Sequence, residues 1–217
     1  MDKTRIAVDI FDKYATNYEE RFMDISLYQE SFDLFCENIP VKNAKILEVA
    51  CGPGNITKYI LDNHPNFKIL GTDLAPNMIE LAKKNNPTAN FQLMDGRAIK
   101  SLNKKYDGII SGFFFPYLSK EDTIQFIADA STILNPNGVL YISTMEEDYS
   151  KSGLQKGSKG DEIYMHYHQS DYLTEALMKN NLKIIEIQRK DSVSTTGIKT
   201  VDLMIIAKRS GNKIIRL

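Results

Sequence analysis

Lys45-Ile-Leu-Glu-Val-Ala-Cys-Gly-Pro-Gly-Asn-Ile-Thr57 is the stretch that decides the fold of this chain. Its first part is the short apolar run over residues 46–49, which is typical of a β-strand buried on both faces. The run ends in Gly52-Pro53-Gly54, and Ile56 and Ile60 are spaced for the inner face of a helix. The stretch therefore predicts a strand, a tight glycine turn and a helix.

The turn has the chemistry of a ligand site. Glycines permit unusual backbone angles and let a ligand touch the main chain, and the helix that follows offers free N–H groups to an anion. A dinucleotide fingerprint, G-x-G-x-x-G, would need its third glycine at Thr57, so the turn does not match it. Glu48, four residues before Gly52, would oppose a pyrophosphate and suits a ligand with a cationic amine or sulfonium.

Glu48-Val-Ala-Cys-Gly-Pro-Gly-Asn55 resembles the first motif of class I S-adenosylmethionine-dependent methyltransferases, which more often have glycine at the position of Ala50. The resemblance covers residues 44–145 well and the rest of the chain loosely. It implies S-adenosylmethionine as the cofactor, with Glu48, Ala50, Gly52 and Gly54 among the residues that bind it. Since the methyl donor is a sulfonium, we expect Glu48 near the amino-acid end of the cofactor, away from the methyl group.

Length and composition limit the function classes. The 217 residues suit one domain, and 42% hydrophobic residues exclude wholesale disorder. With 27 basic against 28 acidic residues, the chain lacks the basic excess usual in nucleic-acid-binding domains. Two cysteines without metal-ligand spacing, no membrane-spanning apolar run and no signal-peptide core predict a cytoplasmic protein with no nucleic-acid or membrane partner.

Strands and helices alternate along the chain. The predicted strands beyond the first are 67–72, 90–94, 106–111 and 139–144, and the predicted helices between them include 76–85 and 123–134. This alternation predicts a doubly wound, mostly parallel α/β sheet with helices on both faces. A helix over 170–179 and a strand pair over 182–187 and 200–207 follow. This ending resembles the antiparallel last strand of the methyltransferase fold, so we expect a seven-stranded, Rossmann-like sheet.

We predict that residues 1–217 form a single domain with four parts. Residues 1–43 form an N-terminal helical cap with helices over 4–22 and 26–39, and residues 44–145 form the cofactor-binding core. Residues 146–169 are polar and rich in glycine, serine and lysine, which fits either a solvated loop or a lid over the ligand crevice; we predict the lid. Residues 170–209 supply the last helix and strand pair.

Asp73 ends the second predicted strand, 19 residues beyond Gly54. An acidic residue at about that distance reaches the ribose hydroxyls in doubly wound sheets, because a carboxylate accepts from two adjacent donors. The alternative is an aspartate that only caps the next helix. The resemblance adds Leu74 and Met78 as an apolar wall against adenine, and it adds Tyr18, in Ala15-Thr-Asn-Tyr18, as a cofactor contact from the helical cap.

Asp95 ends the third predicted strand and is similar to the adenine-edge contact of the family, with the main chain of Gly96 and Arg97 beside it. Ser111 ends the fourth strand, after which the family places its substrate and methyl-transfer site, and it is predicted to contact the cofactor. Ser111-Gly-Phe-Phe-Phe-Pro-Tyr117 lacks the Asp/Asn-Pro-Pro-Tyr pattern of enzymes that methylate nucleic-acid amines. It favours a small apolar or aromatic acceptor, with Tyr117 as a candidate catalytic residue.

His166 and His168 are the candidate bases, because a histidine near its ordinary pKa can take a proton from an acceptor. Plain structural histidines remain the alternative. No third ligand accompanies the His-x-His pair, so no metal site is predicted. The sequence thus predicts S-adenosylmethionine-dependent methyl transfer to a small molecule. The rival classes are a nicotinamide-dependent oxidoreductase and a non-catalytic S-adenosylmethionine or S-adenosylhomocysteine-binding module; the acceptor and the oligomeric state stay open.

Overall fold

The computed structural model describes residues 3–157, 160–193 and 199–211, and a seven-stranded sheet runs through them. The strands of this sheet are β1 (Lys45–Val49), β2 (Lys68–Asp73), β3 (Asn90–Leu93), β4 (Tyr106–Ser111), β5 (Leu134–Glu146), β8 (Leu182–Val193) and β9 (Lys199–Arg209). Two more strands, β6 (Gly153–Lys156) and β7 (Glu162–Met165), form a separate hairpin. The helices are α1 (Lys3–Lys13), α2 (Ala15–Phe22), α3 (Gln29–Glu37), α4 (Asn55–Asn63), α5 (Pro76–Asn85), α6 (Lys120–Ile133) and α7 (Ser170–Lys179).

The strand order in space is β3-β2-β1-β4-β5-β9-β8. Strands β1 to β5 are parallel, and β9 lies between β5 and β8 and is antiparallel to both. This confirms the predicted seven-stranded, mostly parallel sheet with an antiparallel last strand. The order reverses between β1 and β4, so their carboxyl ends flank the crevice in which such sheets bind ligands.

Apolar clusters cover both faces of the sheet. Leu47 and Val49 of β1 pack in the cluster that includes residues of α6 and α7, whereas Ile46 packs in the cluster that includes residues of α3 and α4. Alternate residues of a strand point to opposite faces, so a strand with helices on both sides must be apolar almost throughout. Strand β1 is therefore buried on both faces, as its sequence predicts.

The helical cap lies over the start of α5. The predicted helix over 4–22 is divided at Tyr14, whose φ of −110° and ψ of 22° separate α1 from α2. Asp12 at the end of α1 accepts from the amide of Asn77 at 2.7 Å. Ala15 and Phe11 pack with Met78 of α5, which fixes both helices over the carboxyl edge of the sheet.

The predicted lid, 146–169, contains a short 3-10 turn and the β6–β7 hairpin rather than an irregular loop. The hairpin meets the cap through Tyr14, whose hydroxyl donates to Asp161 at 2.6 Å. The residue that follows β7, His166, contacts the segment after β4, because its amide donates to the Pro116 carbonyl at 2.8 Å. Residues 158–159 of the predicted lid lie outside the described residues.

Candidate active site

The turn after β1 follows a left-handed path. Ala50, Gly52 and Gly54 have φ values of 55°, 53° and 80°. Glycine adopts this conformation freely, while a residue with a Cβ pays about 1–2 kcal/mol. Ala50 therefore holds a strained conformation at a position where the family motif more often has glycine. Phe113, which follows β4, has a φ of 51°. Strain at two strand ends that face one cleft is typical of ligand sites.

Gly54 caps α4 and touches α5 instead of lining the cleft. A Cβ on Gly54 would lie 3.3 Å from the Cα of Ala82 and would also collide with the side-chain amide of Asn86. The missing side chain lets α5 pack against the start of α4. Gly54 thus shapes the turn without offering a surface to a ligand.

Asp73 ties the ends of β1 and β2 together. Its Oδ2 accepts from the Gly52 amide at 2.9 Å and its Oδ1 accepts from the Ala75 amide at 2.9 Å. Burial raises the pKa of Asp73, although the bonds from Ala75 and Gly52 oppose the rise. A carboxylate has about four acceptor positions, so each oxygen keeps room for one more donor. Asp73 thus bonds the amide of Ala75, the residue that precedes α5, and it also lines the cleft.

Asp95 is more fully engaged than Asp73. Its Oδ1 accepts from the Arg97 amide at 2.9 Å, and its Oδ2 accepts from Arg97 Nη2 at 2.7 Å. Burial opposes ionisation, yet the Arg97 side chain and amide hold the pKa of Asp95 below its usual range. Arg97 is drawn to the carboxylate and does not line the cleft.

A cleft of about 760 Å³, partly open to solvent, lies at this edge of the sheet. Nine of the predicted site residues line it: Tyr18, Ala50, Gly52, Asp73, Leu74, Met78, Asp95, Gly96 and Tyr117. Six do not: Glu48, Gly54, Arg97, Ser111, His166 and His168. Gly96 has no room for a side chain, because a Cβ there would lie 2.6 Å from Val49 and 2.7 Å from the Phe114 ring.

Sequence reasoning missed the part of the cleft that α1 provides. Thr4, Ala7, Val8 and Phe11 line it from above. The apolar face of α1 was a sequence signal for burial, but the signal did not say which surface the helix covers. The segment 112–114 also lines the cleft, and the Phe113 amide there donates to Ser143 Oγ at 2.9 Å.

Glu48 lies beneath the turn, contrary to the expected place near the amino-acid end of the cofactor. It is 1% exposed, and its Oε2 accepts from the Thr57 hydroxyl at the start of α4. Burial raises the pKa of Glu48 to about 8; the Thr57 hydrogen bond lowers it and the charge of Asp73 raises it further. A carboxyl with that pKa is mostly neutral at pH 7. Glu48 thus braces α4 against β1.

Ser111 and the two histidines are buried away from the cleft. Ser111 is fully buried at the end of β4. His168 is fully buried, its Nε2 donates to the Phe115 carbonyl at 2.8 Å, and its Nδ1 accepts from the Tyr172 hydroxyl. Burial lowers the pKa of His168 to about 4. A ring with both nitrogens bonded in the interior does not serve as the predicted base.

His166 has the same structural character. It is 7% exposed, and its Nδ1 lies 3.2 Å from the Tyr149 hydroxyl. Burial lowers the pKa of His166. The two histidines connect the segment after β7 to the segment after β4, and neither lines the cleft. The alternative of plain structural histidines fits this geometry better than the predicted catalytic role.

Tyr117 is the one predicted catalytic residue that lines the cleft. Its ring packs edge-on against Phe11, with ring centroids 5.1 Å apart. Burial raises the pKa of Tyr117 and raises that of Tyr18 to about 12. Both phenols keep their protons at neutral pH, so they can donate hydrogen bonds but do not act as bases.

The chain matches the family model described as a methyltransferase domain over residues 46–138. An uncharacterized methyltransferase of Alkaliphilus oremlandii is 25% identical over 69% of this chain and 74% of its own length. A malonyl-[acyl-carrier protein] O-methyltransferase of Halalkalibacterium halodurans is 33% identical over 48% of this chain and 40% of its own. The chain spans less than half the length of most of the curated relatives that it matches first.

A solved structure has the same fold. Magnesium protoporphyrin IX methyltransferase of Synechocystis PCC 6803, with bound S-adenosylmethionine, superposes with a TM-score of 0.71 at 16% identity and covers 97% of this chain and 98% of its own. The sheet order, the turn after β1 and the cleft define a class I methyltransferase fold. Over residues 46–138 the chain matches a methyltransferase domain, in agreement with the predicted resemblance to class I S-adenosylmethionine-dependent methyltransferases.

Proposed function

We propose that the chain transfers a methyl group from S-adenosylmethionine to a small molecule. The observation that carries the proposal is the convergence of the β1 turn, Asp73 and Asp95 from three strand ends on one cleft. An oxidoreductase fingerprint is absent from the turn, because Thr57 stands where a third glycine would be needed.

The residues of the cleft fit the cofactor. Asp73 keeps acceptor positions for two ribose hydroxyls, and Leu74 and Met78 give an apolar wall for a base. Gly96 lets the ligand approach the main chain where a Cβ has no room. Asp95 has fewer acceptor positions left, because Arg97 occupies both of its oxygens. We therefore assign the larger share of nucleoside binding to Asp73.

The bound cofactor would supply an electrophilic methyl group on a sulfonium. The chain supplies position and cover: α1 closes the cleft from above, and Phe11 and Tyr117 exclude water from its aromatic end. Holding two reactants in line can contribute roughly 7–11 kcal/mol to barrier reduction. Among the described residues that line the cleft, no histidine is present, so acceptors that attack without prior loss of a proton to the protein fit best.

Cys36 and Cys51 are buried free thiols, which supports a reducing, cytoplasmic location as part of the proposal.

Calorimetry with S-adenosylhomocysteine and with NAD tests the cofactor assignment. We expect S-adenosylhomocysteine to bind and NAD to bind far more weakly. Transfer of a radiolabelled methyl group to components of a cell extract then separates an enzyme from a binding module. Tight NAD binding without a response to S-adenosylhomocysteine would contradict the proposal, and binding without any labelled product would favour the module.

A further inference from the structure

Phe113, which follows β4, has a backbone conformation that is rare for a bulky side chain. Its φ is 51°. The other described non-glycine residues with a positive φ are Ala50 and three asparagines, Asn103, Asn137 and Asn181. Asparagine enters the left-handed region more readily than most residues, whereas a bulky residue found there is a genuine outlier. Such a conformation is unfavourable by itself and persists only where the surrounding structure imposes it.

The segments on both sides of Phe113 are held in place. Its amide donates to the hydroxyl of Ser143, a buried residue of β5, at 2.9 Å. The preceding residue, Gly112, packs against the start of α4, and a Cβ there would lie 2.5 Å from the Cδ1 of Ile56. Two residues further on, Phe115 is fully buried in the core. The left-handed conformation of Phe113 is therefore imposed by contacts that precede and follow it.

The ring of Phe113 is half-buried and lines the cleft. It also contacts Tyr28 of the helical cap, with ring centroids 5.3 Å apart. Tyr28 is itself held, because its hydroxyl donates at 2.7 Å to Asp202 Oδ2, a buried carboxyl of β9. Neither Tyr28 nor Asp202 lines the cleft. The ring thus faces the cleft and is supported by residues outside it.

The position of Phe113 in the cleft follows from the strand order. Asp73 ends β2 and Asp95 follows β3, whereas Phe113 follows β4, and β1 lies between these two sides. A nucleoside whose ribose is bound by Asp73 leaves the β4 end of the cleft to the rest of the ligand. In S-adenosylmethionine and S-adenosylhomocysteine the rest is the sulfur-bearing chain. Sulfur in such a chain makes favourable contacts with aromatic rings.

We propose that Ser143 is a positioning residue, which through the Phe113 amide holds the Phe113 ring against the sulfur-bearing part of the cofactor. This inference rests on the proposed function. Ser143 does not line the cleft, so its influence on a ligand passes through Phe113. Without the hydroxyl, the Phe113 amide loses its acceptor and the unfavourable conformation loses one of the contacts that impose it. The ring then no longer has a fixed place in the cleft.

The test is a double-mutant cycle in which calorimetry measures the Kd of S-adenosylhomocysteine. The proteins are the parent, Ser143→Ala, Phe113→Gly and the double variant. A hydrogen bond between uncharged groups corresponds to roughly a two- to tenfold change in an equilibrium constant, so Ser143→Ala should raise the Kd about threefold or more. Phe113→Gly should also raise the Kd, because the ring is lost. Adding Ser143→Ala to Phe113→Gly should change the Kd no further, because glycine adopts the left-handed conformation without support.

Two controls separate positioning from a general effect on the fold. Ser131→Ala removes a hydroxyl of α6 that donates to the Ala128 carbonyl at 2.8 Å, away from the cleft, and should leave the Kd unchanged. Adenosine lacks the sulfur-bearing chain, so its binding depends on the Asp73 side of the cleft. Ser143→Ala should therefore leave the Kd of adenosine, measured by ligand-observed NMR titration, unchanged. Urea unfolding of each variant confirms that folded proteins are compared.

The outcomes distinguish this inference from the proposed function. A weaker affinity of Ser143→Ala for S-adenosylhomocysteine alone, with a double variant that matches Phe113→Gly, supports the positioning role. An equal loss of affinity for adenosine, a loss that persists in the Phe113→Gly background, or an unchanged Kd in Ser143→Ala overturns this inference alone. Failure of the parent protein to bind S-adenosylhomocysteine overturns the proposed function, and the positioning role with it.

Discussion

Replacement of Asp73 by alanine should affect both the fold and the ligand site. The carboxylate accepts the amides of Gly52 and Ala75, each at 2.9 Å, and these bonds hold the β1 turn against the end of β2. The same oxygens face the cleft and would take the ribose hydroxyls. The variant therefore removes a brace and a ligand contact in one change.

The magnitude follows from the groups left without partners. A buried donor that loses its acceptor costs about 1–3 kcal/mol, so two such amides cost about 2–6 kcal/mol. Burial raises the pKa of Asp73 because a buried carboxylate is destabilising to the folded state. The alanine variant no longer carries that charge, and this gain offsets part of the loss. We expect a loss of about 2–3 kcal/mol in the free energy of unfolding and at least a tenfold rise in the Kd for S-adenosylhomocysteine.

Urea unfolding without ligand measures the first effect, and calorimetry on the folded variant measures the second. Asp73→Asn should fall between, because its amide oxygen still accepts one of the two amides. Asp62→Ala is the control: Asp62 pairs with Lys58 on the exposed side of α4, and such pairs are worth well under 1 kcal/mol. If Asp73→Ala matched Asp62→Ala in both assays, Asp73 would have neither role.

Three other substitutions test the interior of the site. Glu48→Gln should raise the free energy of unfolding at pH 8 relative to the parent by about 2–4 kcal/mol and change it little near pH 4.5. The reason is that the pKa of Glu48 is raised to about 8 in the fold, so the parent loses stability as the pH rises from 4.5 to 8. Urea unfolding at both pH values checks this, and a difference independent of pH would contradict it. Ala50→Gly should leave the free energy of unfolding unchanged or raise it by about 1 kcal/mol in the same assay, because glycine relieves the φ of 55°; a clear loss would argue against strain. His168→Ala should lower the free energy of unfolding by about 2–4 kcal/mol at pH 7 and by less at pH 5. The reason is that the pKa of His168 is lowered to about 4 in the fold, so the parent itself loses stability as the pH falls below 6.5. Calorimetry should show an unchanged affinity for S-adenosylhomocysteine, and a loss of affinity would show that His168 belongs to the ligand site.

The sheet and the turn could be predicted because their signals are local. Helix α5 and strand β4 begin and end where the sequence places them, since a proline at the first helical position and a continuous apolar run are properties of neighbouring residues. The hairpin of β6 and β7 was missed because its strands are short and polar. Pairing between strands separated by a polar turn leaves little trace in composition.

The errors in the site come from side-chain direction. In β1, alternate residues face opposite sides, and Ile46 packs on the side of α4. Glu48 shares that side, so strand periodicity alone would have placed it under α4, against Thr57. The direction of His168 had no such local signal, because its ring is fixed by Phe115 and Tyr172 from other parts of the chain.

The distribution of charge around the cleft fits methyl transfer as well as binding. Methyl transfer removes the positive charge from sulfur, so a carboxylate close to the sulfonium would stabilise the ground state more than the transition state. Of the acids near the cleft, Glu48 is buried behind the turn, Asp95 is paired with Arg97, and Asp73 is bonded to the amides of Gly52 and Ala75. Phe11 and Tyr18 also line the cleft, and their neutral rings attract a cation only weakly. These rings therefore stabilise the positive charge of the sulfonium only weakly before the reaction removes that charge.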